Sequence, residues 1–470
     1  MLTQDANRDP FLTFWLRVRE FAVPPSMIET ATARRRTGDW AGACAAAGID
    51  VDFQPRSLAH THGSELAARV RADLRHLVPD LLRWHLPRIA PHGLLRPGLT
   101  IPLTRYEAED PDDWDPVHLV VRTPPAWADA GQRISLALWD GTRSDAGTRR
   151  HPHPHPSRRF RLDLHRHLWD ARRTDELRIR SGAGPSPAGT VDPALLEQVP
   201  PGRRCAVDRW AAEAALLLEA EAEAEAGPAG TFAVRFGGRH RLLLGLGPDG
   251  DRPGPPTLRI AEASPDLAGA VPPVLPDAAT WALPDLELIR SGALEAGRLH
   301  PLVVSALVPE HAPDGSARSP DGTGQPRLVD CGGAQHRIGL VDGVLVPLDH
   351  DPAELHREEL LAALTGTPMP CLQVIDEAHR RPDCLTGVRE RLDHGDIAGA
   401  LAVVEGLLGP GAILRNGPLR DELENAALRR ITYGLFRADL VGPGAGHPLP
   451  EHRRSRDRRL HRRPRHATFR

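Results

Sequence analysis

The chain has 470 residues, of which 40% are hydrophobic and 26% are charged, and its formal net charge is −3. This balance is typical of a globular protein with more than one domain, and it excludes a chain that charge repulsion keeps unfolded. All 59 basic residues are arginine. The chain therefore cannot supply the lysine of a Walker A phosphate loop or of a pyridoxal-phosphate Schiff base.

The sequence indicates a reduced protein without a membrane anchor. Its cysteines are scattered, odd in number and never arranged as Cys-x-x-Cys: Cys44, Cys205, Cys331, Cys371 and Cys384. This pattern favours free thiols and disfavours a disulfide framework or a zinc knuckle. No run approaches the roughly 20 apolar residues of a membrane span. We therefore expect a cytoplasmic protein that binds no membrane.

The first half of the chain is predicted to change from helix to sheet. Residues 1–93 form an N-terminal helical region, with apolar residues spaced three or four apart. Residues 94–263 form a mixed region of antiparallel strands and one Ala/Glu-rich helix, with strands that include 160–164 and 177–180. Residues 264–283, rich in Pro and Ala, are predicted to be a linker.

The second half is predicted to be mainly helical. Residues 284–350 form a mixed α/β segment with a hairpin, and residues 351–440 form a C-terminal helical region. Residues 441–470 form an Arg-rich tail that is predicted to be disordered. The whole is an α+β fold with helices at both ends and a mainly antiparallel centre.

A Gly-Asp pair occurs in both helical regions. Gly395-Asp396 separates two amphipathic helical patterns, and Gly38-Asp39 precedes the same Ala-Gly-Ala order. Glycine can adopt the left-handed conformation that ends a helix, and aspartate can cap the start of the next one. We therefore predict a helix, a tight turn and a second helix at each pair.

The order Gly-Asp, apolar helix, Leu-Leu-x-x-Gly and polar loop resembles one ankyrin repeat. The Thr-Pro-Leu-His opening of that repeat is absent from both copies. Residues 284–436, together with 34–54, are similar to uncharacterised actinobacterial proteins that carry ankyrin-like helical repeat units. This resemblance implies a class of protein and no particular chemistry.

We expect a non-catalytic protein that acts as a scaffold through protein–protein contacts, needs no cofactor and is not an enzyme. Repeated helix pairs present loop-rich faces that suit protein partners. The predicted partner-binding residues are those at the Gly-Asp turn and in the following loop: His394, Asp396, Arg415, Asn416 and Arg420.

A metal-dependent hydrolase is the alternative. Ala59-His60-Thr61-His62-Gly63 resembles the His-x-His signature of the amidohydrolase superfamily, whose two histidines bind a metal. A second group of candidate ligands lies in the segment 151–167: His151, His153, His155, His165 and His167. For this group we favour solvent-exposed polar positions, because arginines flank the histidines and would repel a cation.

The Arg-rich tail suggests a further alternative, in which residues 453–465 contact phosphates or other anions. Its single aromatic residue, Phe469, disfavours stacking on bases. We therefore do not expect nucleic acid as the main partner.

Overall fold

The computed structural model describes residues 9–107, 116–141, 151–183, 193–200, 204–222, 230–237, 240–247, 257–261, 272–310, 327–331, 333–341, 344–366, 369–380, 384–409, 411 and 413–442. The chain divides into two compact units. Unit 1 comprises residues 1–127, 132–314 and 439–470, and unit 2 comprises residues 128–131 and 315–438. The predicted α+β class is confirmed, with helices in both terminal regions and small, mainly antiparallel sheets between them.

Unit 1 begins with six helices. They are α1 (Pro10–Arg17), α2 (Pro25–Arg36), α3 (Trp40–Ala46), α4 (Leu58–His62), α5 (Ser64–His76) and α6 (Pro79–His85). Proline stands at the first position of α1, α2 and α6, where its missing N–H would have no partner in any case. A single π-helical turn, Val18–Ala22, continues α1.

A four-stranded sheet follows, with the strand order β1-β6-β5-β4. The strands of this region are β1 (Ile49–Val51), β2 (Arg88–Ile89), β3 (Leu94–Leu95), β4 (Thr100–Tyr106), β5 (Val117–Arg122) and β6 (Ile134–Trp139). Strand β1 pairs with β6 in parallel, and β4, β5 and β6 pair antiparallel. Side chains of this sheet and of the N-terminal helices bury together in one hydrophobic core. The boundary that we predicted at residue 93 therefore lies within a single hydrophobic core, because residues on both sides of it pack together.

The rest of unit 1 combines short helices with a second sheet. The helices are α7 (Leu177–Arg180), α8 (Pro193–Gln198), α9 (Trp210–Ala222), α10 (Asp277–Thr280), α11 (Pro284–Arg290) and α12 (Pro301–Leu307). The strands are β7 (Thr231–Arg235), β8 (Arg241–Gly247) and β9 (Thr257–Ile260), paired antiparallel in chain order. Helix α9 packs on this sheet and forms a second core with it.

Three predictions for unit 1 are wrong. Residues 160–164 form no strand, and residues 177–180 are helical, with Leu177 buried and Ile179 exposed. Of the predicted linker 264–283, the described part 272–283 is packed inside, because Leu275 is fully buried and its N–H donates to Ala233 O. Short apolar segments do not by themselves distinguish strand, helix and packed loop.

The described residues of unit 2 form a three-stranded antiparallel sheet followed by five helices. The strands are β10 (Arg327–Cys331), β11 (Ala334–Val341) and β12 (Val344–Pro347), paired in that order. The helices are α13 (Pro352–Thr365), α14 (Pro370–Arg380), α15 (Leu385–His394), α16 (Ile397–Leu408) and α17 (Pro418–Arg437). The predicted hairpin is confirmed as β11 and β12, and β10 extends it by one strand. Helix α14 packs against β10 and β12.

The predicted Gly-Asp turns are confirmed in each unit. Gly395 is left-handed (φ 86°), and Asp396 caps α16 by accepting a hydrogen bond of 2.9 Å from Gly399 N. Gly38 is likewise left-handed (φ 78°), and Asp39 accepts a bond of 2.8 Å from Gly42 N. The same cap thus begins α16 and α3. The ankyrin-like resemblance itself stays a prediction.

Among the described helices, none combines the length and the apolar content that crossing a membrane requires. The predicted disorder of residues 441–470 falls almost wholly outside the described residues, which end at Gly442.

Candidate metal centre

Two thiols and an imidazole converge in unit 2. The ligand atoms of Cys331, His350 and Cys371 all lie within 4.8 Å of one another. A tetrahedral zinc site places such donors roughly 3.5–3.8 Å apart, given bond lengths of about 2.0–2.3 Å. Among the described residues this is the one group of three that could hold a metal ion. The upper limit of 4.8 Å is close to this spacing, so the three residues could hold an ion.

Each donor stands where a regular element begins or ends. Cys331 is the last residue of β10 and pairs with Ala334 across the β10–β11 turn. Cys371 is the second residue of α14, directly after Pro370. His350 lies in the turn between β12 and α13. Since α14 packs on β10 and β12, these three chain segments meet at one place.

The turn that carries His350 is held to strand β11. Arg337 N donates to Asp349 Oδ2 over 2.7 Å, and Leu348 N donates to Arg337 O over 2.8 Å. Arg337 also forms an ion pair with Asp349, with Nη2 2.7 Å from Oδ1. These hydrogen bonds from Arg337 lower the pKa of Asp349 to about 2. The backbone of the turn next to His350 is thereby tied to β11.

The side chains of the cluster are buried, and one ring nitrogen of His350 has no partner in the described part of the chain. Cys371 is fully buried, Cys331 is 3% exposed and the His350 side chain is 6% exposed. No hydrogen-bond partner of His350 Nε2 is present among the described residues. A buried polar atom without a partner costs about 1–3 kcal/mol, so a ligand that satisfies it would stabilise the fold.

Two further side chains lie beside the imidazole of His350. Its Nδ1 is 3.8 Å from Glu354 Oε2, which is beyond hydrogen-bond distance. The ring of His336 stacks on that of His350, with centroids 4.1 Å apart and planes at 12°. His336 Nδ1 is buried and also lacks a partner in the described part of the chain.

The Cys371 thiol is a weak acid in this environment. Burial, together with the contact with Cys331, raises the pKa of Cys371 to about 11. A divalent ion would displace the proton of this thiol, because the thiolate is the form that binds a metal.

The histidines that the sequence suggested as ligands do not assemble into a metal site. His60 is exposed and His62 half-buried in the short helix α4. His153 and His155 are exposed, as expected. His151 is buried instead, with Nε2 3.0 Å from Thr123 O and Nδ1 3.0 Å from His153 O, so its protonated nitrogen donates to a backbone carbonyl.

His165 and His167 are also buried, so the predicted solvent-exposed positions are wrong. His165 Nε2 lies 3.1 Å from Glu213 Oε2, and the same carboxylate binds Arg180. Burial, together with the charge of Arg180, holds the pKa of His167 well below its usual range. Because the Arg180 guanidinium already pairs with the Glu213 carboxylate, it would repel a metal cation at this place. Glu213 and Arg180 therefore form an internal ion pair and not a metal site.

The predicted partner-binding residues differ in exposure. Arg415, Asn416 and Arg420 are exposed as predicted. His394 is 1% exposed, and its Nδ1 lies 2.8 Å from Glu390 O. Asp396 is 9% exposed, caps α16 and pairs with Arg391. The interpretation of His394 and Asp396 as surface residues is therefore wrong, because the turn directs both side chains into contacts with their own helix pair.

Sequence reasoning missed the metal cluster because it searched for ligands close together in the chain. The available signals were a cysteine at the end of a strand before two glycines, and a cysteine directly after a helix-starting proline. No protein-family model matches this chain, and no curated protein or solved structure matches it either.

Proposed function

We propose that unit 2 is a zinc-stabilised protein-interaction module without catalytic activity. The convergence of Cys331, His350 and Cys371 supports the zinc site. Two thiolates and one imidazole are soft and borderline donors, which favour zinc over magnesium or calcium.

The burial of the cluster supports a structural role for the ion. A catalytic zinc needs an open position that substrate and water can reach. Here both cysteines are buried, and His336 stacks over His350. His336 stacks parallel to His350, so its ring nitrogens cannot point at the same ion, and its ring instead covers the cluster. The burial of both cysteines and this cover favour a structural ion over a catalytic one.

Metal analysis of the purified chain tests this proposal. We expect one zinc per chain after purification under reducing conditions, and its loss in Cys331→Ser, Cys371→Ser and His350→Ala. His336→Ala should keep some zinc and bind it more weakly. Cys384→Ser is the matched control, because this half-buried thiol of unit 2 lies outside the cluster and should leave the zinc content unchanged.

Two results would contradict the zinc site. One is a chain that binds no zinc when it is supplied in excess under reducing conditions. The other is an intact mass lower by two hydrogens that reductant restores and that Cys331→Ser abolishes, since the two thiols would then form a disulfide instead.

The interaction role is supported by apolar side chains on helix α13. Leu360 is 55% exposed, Leu361 is 49% exposed and Leu364 is 86% exposed. Their spacing places them on one face of the helix, where a row of leucines suits the apolar face of an amphipathic helix. We propose such a helix as the partner, with the exposed loop residues Arg415 and Asn416 and the exposed Arg420 in the first turn of α17 as a second contact.

A crosslinking pull-down with matched variants tests the interaction. We expect a partner that wild type and Ile413→Asp recover equally and that Leu360→Asp/Leu364→Asp loses. Ile413 is the control because it is another exposed apolar residue of unit 2 that lies outside α13. Recovery of the same proteins by all three chains would overturn the assignment to α13. If the triple alanine variant of Arg415, Asn416 and Arg420 recovered the partner as well as wild type does, these three residues would not contribute to binding.

A further inference from the structure

The side-chain charges of four arginines and one carboxylate lie close together in unit 1. The arginines are Arg96, Arg159, Arg235 and Arg241, and the carboxylate is that of Asp277. Arg96 lies between β3 and β4, Arg159 lies between β6 and α7, and the other two belong to the β7–β8 hairpin. The fold therefore gathers these positive charges from three separate parts of the chain.

The pairing of β7 with a later segment brings Arg235 next to Asp277. Ala233 forms a parallel bridge with Val274, and Leu275 N donates to Ala233 O over 2.9 Å. Because the two segments run in the same direction, the residues that follow Val274 lie beside those that follow Ala233. Asp277 thus stands beside the end of β7.

The carboxylate of Asp277 is already engaged by Arg159. Arg159 Nε lies 2.7 Å from Asp277 Oδ1, and Nη2 lies 2.8 Å from Oδ2. Both side chains are largely buried, with 13% and 11% exposed. This two-pronged ion pair neutralises one of the four positive charges and leaves the other three.

Two of the remaining arginines face each other across the hairpin. Arg235 and Arg241 are directly opposite in the β7–β8 register. Val234 and Phe236 point into the core that α9 covers, so by alternation both arginines lie on the other face of the sheet. Like charges directly opposite on neighbouring strands destabilise a sheet. Burial lowers the pKa of Arg235, and the charges of Arg241 and Arg159 lower it further.

The third arginine, Arg96, adds to the same excess of positive charge. Burial lowers its pKa, and the charges of Arg159 and Arg235 lower it further. Within the described ranges, no carboxylate forms an ion pair with Arg96, Arg235 or Arg241, and the buried Nε of Arg235 has no hydrogen-bond partner there. Partly buried cations without counter-ions cost free energy, and a bound anion would offset that cost.

We propose that this arginine cluster, formed by Arg96, Arg159, Arg235 and Arg241, binds a small molecule through its phosphate groups. The planar guanidinium matches the spacing of phosphate oxygens and can donate two parallel hydrogen bonds to them. Several positive charges at one place suit a compact anion that carries more than one negative charge. A nucleic acid would instead be expected to need basic side chains along an extended track.

Calorimetric titration of the full chain with pyrophosphate tests the proposal, with the ionic strength held constant by sodium chloride. We expect saturable binding that is at least about ten times tighter than that of acetate, because the cluster can compensate more than one negative charge. Binding no tighter than that of acetate would overturn the proposal. Tighter binding of a single-stranded or duplex oligonucleotide than of pyrophosphate would overturn it as well, in favour of a nucleic-acid interface.

Variants of the cluster locate the site. Arg96→Gln, Arg235→Gln and Arg241→Gln each remove one charged donor, so each should weaken pyrophosphate binding about tenfold. Arg259→Gln is the matched control, because Arg259 is exposed on the same face of the same sheet and pairs with Gly245. It should change the affinity less than twofold. Equal weakening by the control would reveal diffuse attraction to a basic surface and refute the site, as would unchanged binding in the three cluster variants.

The melting temperature supplies an independent measurement. Arg241→Gln removes the like-charge contact with Arg235, so without pyrophosphate it should unfold at the same temperature as wild type or a higher one. Pyrophosphate should raise the melting temperature of wild type more than that of the variant. Pyrophosphate also binds metal ions, but the metal centre of unit 2 is the same in both chains, so the comparison isolates the cluster. A variant that pyrophosphate stabilises as much as wild type would contradict the proposal.

Discussion

His165 Nε2 and Glu213 Oε2 lie 3.1 Å apart in the interior of unit 1, where the two side chains are only 3% and 5% exposed. Arg180 donates to the same carboxylate through Nε and Nη2. Burial by itself raises the pKa of Glu213, but the hydrogen bonds from His165 and Arg180 outweigh it and hold the pKa far below its usual value. The carboxylate therefore stays ionised in the folded chain.

This ion pair predicts acid-sensitive stability in unit 1. A depressed folded pKa contributes stability that is fully present above the unfolded pKa of about 4.5 and is lost as the pH falls below it. Glu213→Gln should lower the free energy of unfolding by about 3–5 kcal/mol at neutral pH, because it leaves the largely buried Arg180 guanidinium without this carboxylate. The difference from wild type should shrink as the pH falls. Urea unfolding at several pH values below and above 4.5 measures this change.

Glu219→Gln on the same helix is the control, because Glu219 is exposed. A difference between wild type and Glu213→Gln that stays constant across the acid range would contradict the role of the ionised carboxylate.

Alanine substitution at two glycines of helix α16 should change the stability of the protein in opposite directions. A Cβ at Gly399 would overlap the carboxylate of Asp396, which caps the helix through Gly399 N. Gly399→Ala should therefore cost about 1–2 kcal/mol, the contribution of a helix cap. A Cβ at Gly406 meets open space, so Gly406→Ala should stabilise the helix by up to about 1 kcal/mol. Thermal unfolding of both variants checks the sign, and a loss of equal size at both positions would be inconsistent with the capping argument.

Removal of zinc should destabilise unit 2 selectively. The three donors come from separate segments of that unit, so the ion would crosslink the sheet to α14. Excess chelator should lower the melting temperature of unit 2 while that of unit 1 stays unchanged. Hydrogen exchange resolved along the chain measures the two units separately. Chelation that changed neither unit, or both equally, would argue against a structural zinc at this position.

Removal of one buried carboxylate in unit 1, that of Asp73, should lower the stability of the protein. Asp73 accepts hydrogen bonds from Tyr106, Arg166 and Arg172 and is 6% exposed. Asp73→Ala should cost about 1–3 kcal/mol, because it leaves the buried Tyr106 hydroxyl without its acceptor, while Arg166 and Arg172 keep their bonds to Asp170. Asp175→Ala, at an exposed position, should change stability by less than about 0.5 kcal/mol. Chemical denaturation of both variants compares the two losses, and similar values would show that the cluster contributes little.

Local features were predictable because neighbouring residues generate them. The Gly395-Asp396 turn follows from the left-handed freedom of glycine and the capping side chain of aspartate, both of which act within a few residues. The β11–β12 hairpin follows in the same way from two apolar segments separated by Asp342-Gly343. The α+β class, the helices near both ends and the central antiparallel strands were therefore available from the sequence by itself.

Only the tertiary structure decided which distant residues meet and which of them are buried. Helix α14 packs on β10 and β12 and so brings Cys371 to Cys331 and His350, and no local pattern in the chain encodes that packing. The same applies to His165 and His394, whose polarity suggested exposure although partners from the fold bury both. Burial and long-range contact depend on how whole elements pack, because the free energy of removing apolar surface from water is shared over the entire core.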